Sequence, residues 1–369
     1  MRASTAPLPC GGRTHGLTNL IMLGCMDLPH LSRDGIVAPV RVDPTGLRGP
    51  TRGQARGPRW TRVAPWYYVP SCTDRNRTDQ RIVEALVPFP EGSAVTGWAG
   101  LHLMGAHWFD GYGADGRPLD VQVALGHQQT ARPRSGAHLM EEWLFDDDVT
   151  WVDGIPVTVP NRSVTHLART ARNDLEATRY VDMAAYDDLV TLAGLTRYAA
   201  RLGPRPGTRR LKRAIEHGDE NAWSPTEVTT RLLWKGAFPR RHLVCNAPIF
   251  DRAGNHLFTP DLLDVEAAIA GEYNGDDHAS RRTRSRDLTR DDLARRHGIE
   301  VVSTLAGAGE RELFVQRLRG AYERAAPNTD SRSWTLELPG WWVDTSTVAA
   351  RLALTPYQRE QWLRHRRRI

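Results

Sequence analysis

The stretch Pro260-Asp261-Leu262-Leu263-Asp264-Val265-Glu266-Ala267-Ala268-Ile269-Ala270-Gly271-Glu272-Tyr273-Asn274 sets two short apolar runs in succession, and a carboxylate marks what reads as the end of each. His256 to Leu263 reads as one strand and Glu266 to Tyr273 as the next. Upstream, Leu243 to Phe250 reads as a strand joined to the first by the polar turn Asp251-Arg252-Ala253-Gly254-Asn255. Further upstream a helix start is well marked, with Ser224 as N-cap, Pro225 at the first helical position and Glu227 three residues after the cap. Downstream, Ser285 to His297 reads as a helix stopped by Gly298, Ile299 to Ser303 as a buried strand, and Glu310 to Ala325 as an amphipathic helix. The predicted order is α, β, β, β, α, β, α.

Carboxylates on adjacent strands suit a hard divalent cation. Mg²⁺ takes a few carboxylates and keeps several waters, and phosphodiester hydrolysis needs a metal to acidify water and offset charge. Asp261 and Glu272 are therefore the predicted ligands of Mg²⁺ or Mn²⁺, and Glu227 is within reach as a supporting acid. A capping box explains Glu227 equally well without chemistry, and Asp261 taken alone is an ordinary turn acid. Glu272 closes an otherwise apolar strand, where a carboxylate needs a compensating partner.

Several motifs then occur in the order of a known family. Ser224 to Glu227, Asp261, the run Glu272-Tyr273-Asn274-Gly275-Asp276-Asp277-His278, the pairs Arg286-Asp287 and Arg290-Asp291, and the step Gly298-Ile299 resemble the Vsr-like endonuclease domain of the PD-(D/E)XK superfamily. The resemblance covers about Gly207 to Ala325 and is to the branch fused behind AbiEi-type antitoxin-like regions in actinobacteria. It implies a restriction-endonuclease-like α/β domain with an αβββαβ core, and metal-dependent cleavage of DNA in defence, repair or a toxin-antitoxin context. The family has Asp where this chain has Asn274, and the wider superfamily has Lys; neither Lys212 nor Lys235 can fill that place, since both lie upstream on predicted helices. Asn carries no charge and is no base, so the resemblance makes His278 the group that orients or deprotonates water. A nucleic-acid-binding or antitoxin-like regulator that keeps the fold is the alternative, and Asn274 is the residue that favours it.

The region from about Ala55 to Leu202 resembles the AbiEi-like portion of the same proteins, through Arg59-Trp60 to Tyr68-Val69-Pro70, Ala94 to Ala99, and Gly154 to Thr158 leading to Leu167-Ala168-Arg169. This implies an α+β N-terminal region. Asp79 to Leu86 and Ala94 to Met104 read as helices, Val37 to Val42, Trp60 to Val69, Pro118 to Leu125 and Val149 to Val159 as strands, and Ser163 to about Leu202 as helical. Gly203-Pro204-Arg205-Pro206-Gly207 breaks the chain. The predicted divisions are an irregular or poorly ordered 1–54, an AbiEi-like 55–205, a nuclease-like 206–326 and a Trp/Arg-rich tail 327–369.

Composition sets outer bounds. At 369 residues, with 40% hydrophobic and 25% charged, the chain fits two globular units, and no stretch is apolar for long enough to span a bilayer. Cys10, Cys25, Cys72 and Cys245 show no paired spacing, which argues against a disulfide framework or zinc site and for a reducing cytoplasm. Leu17 to Met26 is too interrupted for an export signal, and Met26 could equally be the start of translation. The net charge of +6 suits a polyanion, DNA first and RNA as an alternative, yet almost all of it is Arg, as codon bias alone would produce. Local clustering is more telling. Arg281, Arg282, Arg284, Arg286 and Arg290, with Arg295 and Arg296, make the densest basic group beside the predicted site; phosphate contact is predicted for the residues before Asp287 and a solvated, ion-paired helix face beyond. The tail, with Trp334, Trp341, Trp342 and Arg364 to Arg368, reads either as a DNA-gripping appendage or as aromatic residues docking it onto the core.

Overall fold

A computed structural model describes residues 26–28, 30–126, 130–140, 144–274, 292–305, 309–325 and 332–367. The protein is mixed α and β with several sheets, and it divides into two compact units, residues 1–166 and 167–369.

In the first unit, β1 (Val40–Arg41), β2 (Trp60–Ala64) and β3 (Tyr67–Pro70) form one antiparallel sheet in the order β1-β3-β2. α1 (Thr78–Leu86), β4 (Ala94–Val95), α2 (Gly97–Leu103), β5 (Val121–Ala124), β6 (Ala137–Met140), β7 (Val149–Val152) and β8 (Ile155–Thr158) follow, with the second sheet ordered β6-β5-β4-β8-β7. α3 (Pro160–Thr170) leaves this unit for the next. The predicted helix over Ala94 to Met104 is shorter by one strand: Ala94 and Val95 pair with β5 and β8, and the helix starts only at Gly97, whose φ of 59° turns the chain. Within 1–54, the described part is mostly loop yet closely held. Asp43 accepts hydrogen bonds from the Thr45, Leu47 and Arg48 amides and the Thr45 hydroxyl, which together hold its carboxyl down at about 2.

In the second unit, α4 (Asp174–Tyr186), α5 (Leu192–Leu202) and α6 (Thr208–Glu216) precede α7 (Pro225–Ala237). The Gly203–Gly207 break therefore lies inside this unit and does not divide it from another. The reason is packing: α4 lies against both α6 and α7, and buried Arg231 of α7 is ion-paired to buried Asp182 of α4. β9 (Leu243–Cys245), β10 (Ile249–Asp251), β11 (His256–Phe258), β12 (Leu262–Asp264), β13 (Ile269–Asn274), β14 (Glu300–Leu305), α8 (Glu310–Arg324), β15 (Trp334–Thr335), α9 (Val348–Leu352) and α10 (Pro356–Trp362) complete it.

The central sheet runs β14-β13-β12-β9, with β12 antiparallel to both β9 and β13 and β14 parallel to β13. One face packs on α7 and α8 through Trp234, Leu262, Ile269, Val302, Phe314 and Leu318. The other packs Leu263, Ala270 and Ile299 against Ile249, Phe258 and Trp334 of the small sheet β11-β10-β15. Side chains alternate between these faces as strand geometry requires. Gly271 shows how close the fit is: a Cβ there would lie 2.6 Å from the buried Trp234 ring.

Each of the two strands predicted for Leu243–Phe250 and His256–Leu263 is in fact two. Asn246, at φ 47°, bends the chain after β9, and the Asp251–Asn255 turn then folds β10 and β11 into the second sheet. The tail is docked. Trp341 and Trp342 meet Phe250 edge-on, Trp342 also packs on His256 and Trp362, and Arg366 is buried between the Tyr186 and Trp223 rings. Among the described residues no helix is long and apolar enough to cross a membrane.

Candidate active site

Glu227, Asn246 and Asp261 come together at one end of the central sheet, and Glu272 lies on the neighbouring strand. The β12–β13 register pairs Leu262 with Gly271, so one further step sets Asp261 against Glu272. Glu272 is in phase with Ala270, which packs against the small sheet, while Asp261 stands just before β12. Asp261 is thus the residue that leads into β12, whereas it was predicted to end a strand; Glu272 lies within β13, which runs on to Asn274. An antiparallel pair brings the start of one strand to the end of the next, so the two carboxylates still share an end of the sheet. The Asp261 carboxylate accepts the Tyr273 amide at 2.8 Å, which anchors it at the mouth of β13 beside the buried Glu272.

The third acid arrives from α7. Ser224 caps the helix by accepting the Glu227 amide, but the Glu227 carboxylate does not complete the box. It accepts the Trp223 amide and the Asn246 side-chain amide, each at 2.8 Å, and is 6% exposed. Burial and then the neighbouring Asp261 charge push its carboxyl up to about 7, against those two donors.

Asn246 is the residue that sequence reasoning missed. Its amide donates to the Asp261 carbonyl at 3.0 Å and its side chain to Glu227 and to the Asn221 carbonyl, so one residue ties α7 to the head of β12. Asn221 in turn holds the Cys245 and Asn246 carbonyls and accepts from Arg366. A polar residue directly after an apolar strand, of a type that tolerates φ above zero, was the available signal.

Glu227 and Asp261 are neighbours, and Glu272 directly precedes the residue whose amide Asp261 accepts. Asn274 closes β13 opposite Leu305. His278 and Arg281, Arg282, Arg284, Arg286 and Arg290 lie outside the described residues. Among the described residues, no three of His, Cys, Asp and Glu form a group able to hold a metal ion. Asp261 and Glu272, at the same end of neighbouring strands, offer carboxylates of the kind Mg²⁺ or Mn²⁺ takes, because such ions commonly use one or two carboxylates and complete their shell with water and substrate phosphate. The oxygen-only donor set excludes a soft-metal preference.

The raised Glu227 carboxyl has a measurable consequence. An acid whose folded pKa lies above its usual 4.5 binds a proton more readily folded than unfolded, so it favours the fold at low pH. Its contribution falls as pH rises from 4.5 to about 7. Asp182, pushed up to about 6 by burial, acts in the same direction. The difference between wild type and Glu227→Gln isolates Glu227: the variant should gain stability relative to wild type across that window, read as a Tm difference that widens with pH and then levels. A constant Tm difference would mean that Glu227 titrates as an exposed carboxyl does.

No protein-family model matches the chain, and no match was found among curated proteins or among solved structures.

Proposed function

We propose that the second unit is a metal-dependent endonuclease that hydrolyses phosphodiester bonds of DNA. The observation that carries this reading is the set of acids at the sheet end, with Asp261 accepting the amide that follows Glu272 and Glu227 beside Asp261. The sequence α7, β9, β12, β13, β14, with an antiparallel trio followed by a parallel strand, supports it as the arrangement of a restriction-endonuclease-like core.

Asp261 and Glu272 would hold the Mg²⁺ or Mn²⁺, which when bound acidifies water and offsets charge on the reacting phosphate. Asp261 is kept in place by the Tyr273 amide and by the Asn246 contact to its own carbonyl, so little ordering remains when a substrate arrives. Glu227, with its carboxyl near 7, can take or release a proton at neutral pH. His278 is the residue proposed to orient or deprotonate the water, on the resemblance alone.

Asn274 supports a second reading, a binding module that has lost its chemistry. It puts an uncharged amide two residues after Glu272, on the same strand. Asn274→Asp restores a carboxylate at little steric cost and is expected to raise metal-dependent cleavage roughly tenfold, equivalent to about 1.4 kcal/mol of barrier. Incubating supercoiled plasmid with the full chain in Mg²⁺, in Mn²⁺ and in EDTA tests the function. Relaxed or linear product in either metal and none in EDTA is the expected result. Inactivity of both wild type and Asn274→Asp on DNA and RNA, with DNA binding intact, would replace the nuclease by the binding module.

A further inference from the structure

The solvent side of α5 and α6 carries a concentration of basic residues. Arg197, Arg201, Arg209, Lys212 and Arg213 are exposed and Arg205 is half-buried in the turn between the helices, while Glu216 is the one carboxylate in residues 192–216. Leu195, Tyr198, Leu202, Leu211 and Ala214 are buried and fix which sides face out. From α4, Asp174 answers only part of this charge, by pairing with Arg213 at 2.7 Å and lying near Arg210. Arg197, Arg209 and Lys212 have no ion-pair partner among the described residues.

Arginine abundance alone does not produce such a face. On α8 the arginines alternate with acids, and Arg317 and Arg324 are paired with Glu310 and Glu300. Mixed signs are what a solvated helix normally shows, whereas a surface of one sign repels itself unless a polyanion covers it. No aromatic residue is exposed on α5 or α6, since Tyr198 is buried. Stacking of unpaired bases, the usual grip on single strands, is therefore absent, and contact with phosphates on a duplex is what remains.

We propose that α5 and α6 form a docking face for the phosphate backbone of duplex DNA. The choice of partner rests on the nuclease reading, but the contact does not require cleavage. Bound phosphates release counterions, and each contributes about 0.9 to the slope of log K against log salt. Affinity for a short labelled duplex of mixed sequence, measured across a salt series in EDTA, reads this directly. Arg197→Gln/Arg209→Gln/Lys212→Gln is expected to lower the slope by about 2 to 3 and to weaken binding on the order of a hundredfold near 0.1 M salt. Arg56→Gln/Arg59→Gln/Arg62→Gln removes the same net charge from exposed positions elsewhere and should leave both nearly unchanged. Arg197→Lys/Arg209→Lys keeps the charge and should bind as wild type does, which separates charge from any loss of fold. An unchanged slope in the first variant, an equal loss in both triple variants, or no duplex binding by wild type would overturn the proposal. A plasmid left uncut while the slopes differ as stated would remove catalysis and leave the docking face standing.

Discussion

Asp261→Asn and Glu272→Gln should each lower metal-dependent plasmid nicking by about a thousandfold, on the scale of ~4 kcal/mol of barrier. Both changes keep shape and remove charge. Asp261 can still accept the Tyr273 amide through its amide oxygen, so the sheet end should survive the substitution. Two ligands of one cation act as a unit, and the double variant should be scarcely worse than either single one. The check is kcat/KM for the three variants beside duplex binding in EDTA. Binding should be retained throughout; losses that simply multiply in the double variant would mean that the two carboxylates serve separate steps.

The second large effect is on folding. Arg231 and Asp182 are both fully buried and bonded to each other; Arg231 also donates to the His217 carbonyl at 3.0 Å and to the Cys245 sulfur at 3.2 Å, and Asp182 accepts the Asp219 amide at 2.9 Å. Asp182→Ala would leave the guanidinium buried without its counter-charge, a change that typically costs about 3–5 kcal/mol. Denaturant unfolding should show that loss, while Asp182→Leu/Arg231→Met, which removes both charges and fills similar volume, should recover much of it. An Asp182→Ala protein as stable as wild type would mean that α4 is not held to α7 by this pair.

Much of the second unit was legible because its signals are local. Ser224, Pro225 and Glu227 specify where α7 starts, and the apolar spacing of Phe314, Leu318 and Ala321 specifies which side of α8 is buried. The carboxylates of Asp261 and Glu272 were legible for the same reason, as charges at the ends of apolar runs. What sequence did not convey was pairing between distant residues. Nothing local shows that Asp182 answers Arg231, so the Gly203–Gly207 break looked like a boundary when it is only a turn within a helical layer. Nor does periodicity reveal that Asn246 adopts positive φ and splits the strand predicted for Leu243–Phe250 in two, because an apolar run reads the same whether or not it bends. Which of the two readings of Glu227 holds, cap or supporting acid, was not decidable from spacing. Its spacing from Ser224 announced a cap, while its side chain turns instead to Asn246 and the Asp261 charge.

Asp261 and Glu272 are proposed to hold one divalent cation between them. Calorimetric titration of Mn²⁺ into the full-length wild-type protein and into Asp261→Asn, side by side at a pH above 7, tests it most directly. A single saturable site in wild type that is lost in Asp261→Asn is the result predicted. Equal binding by the two proteins, or no binding by either, would contradict it.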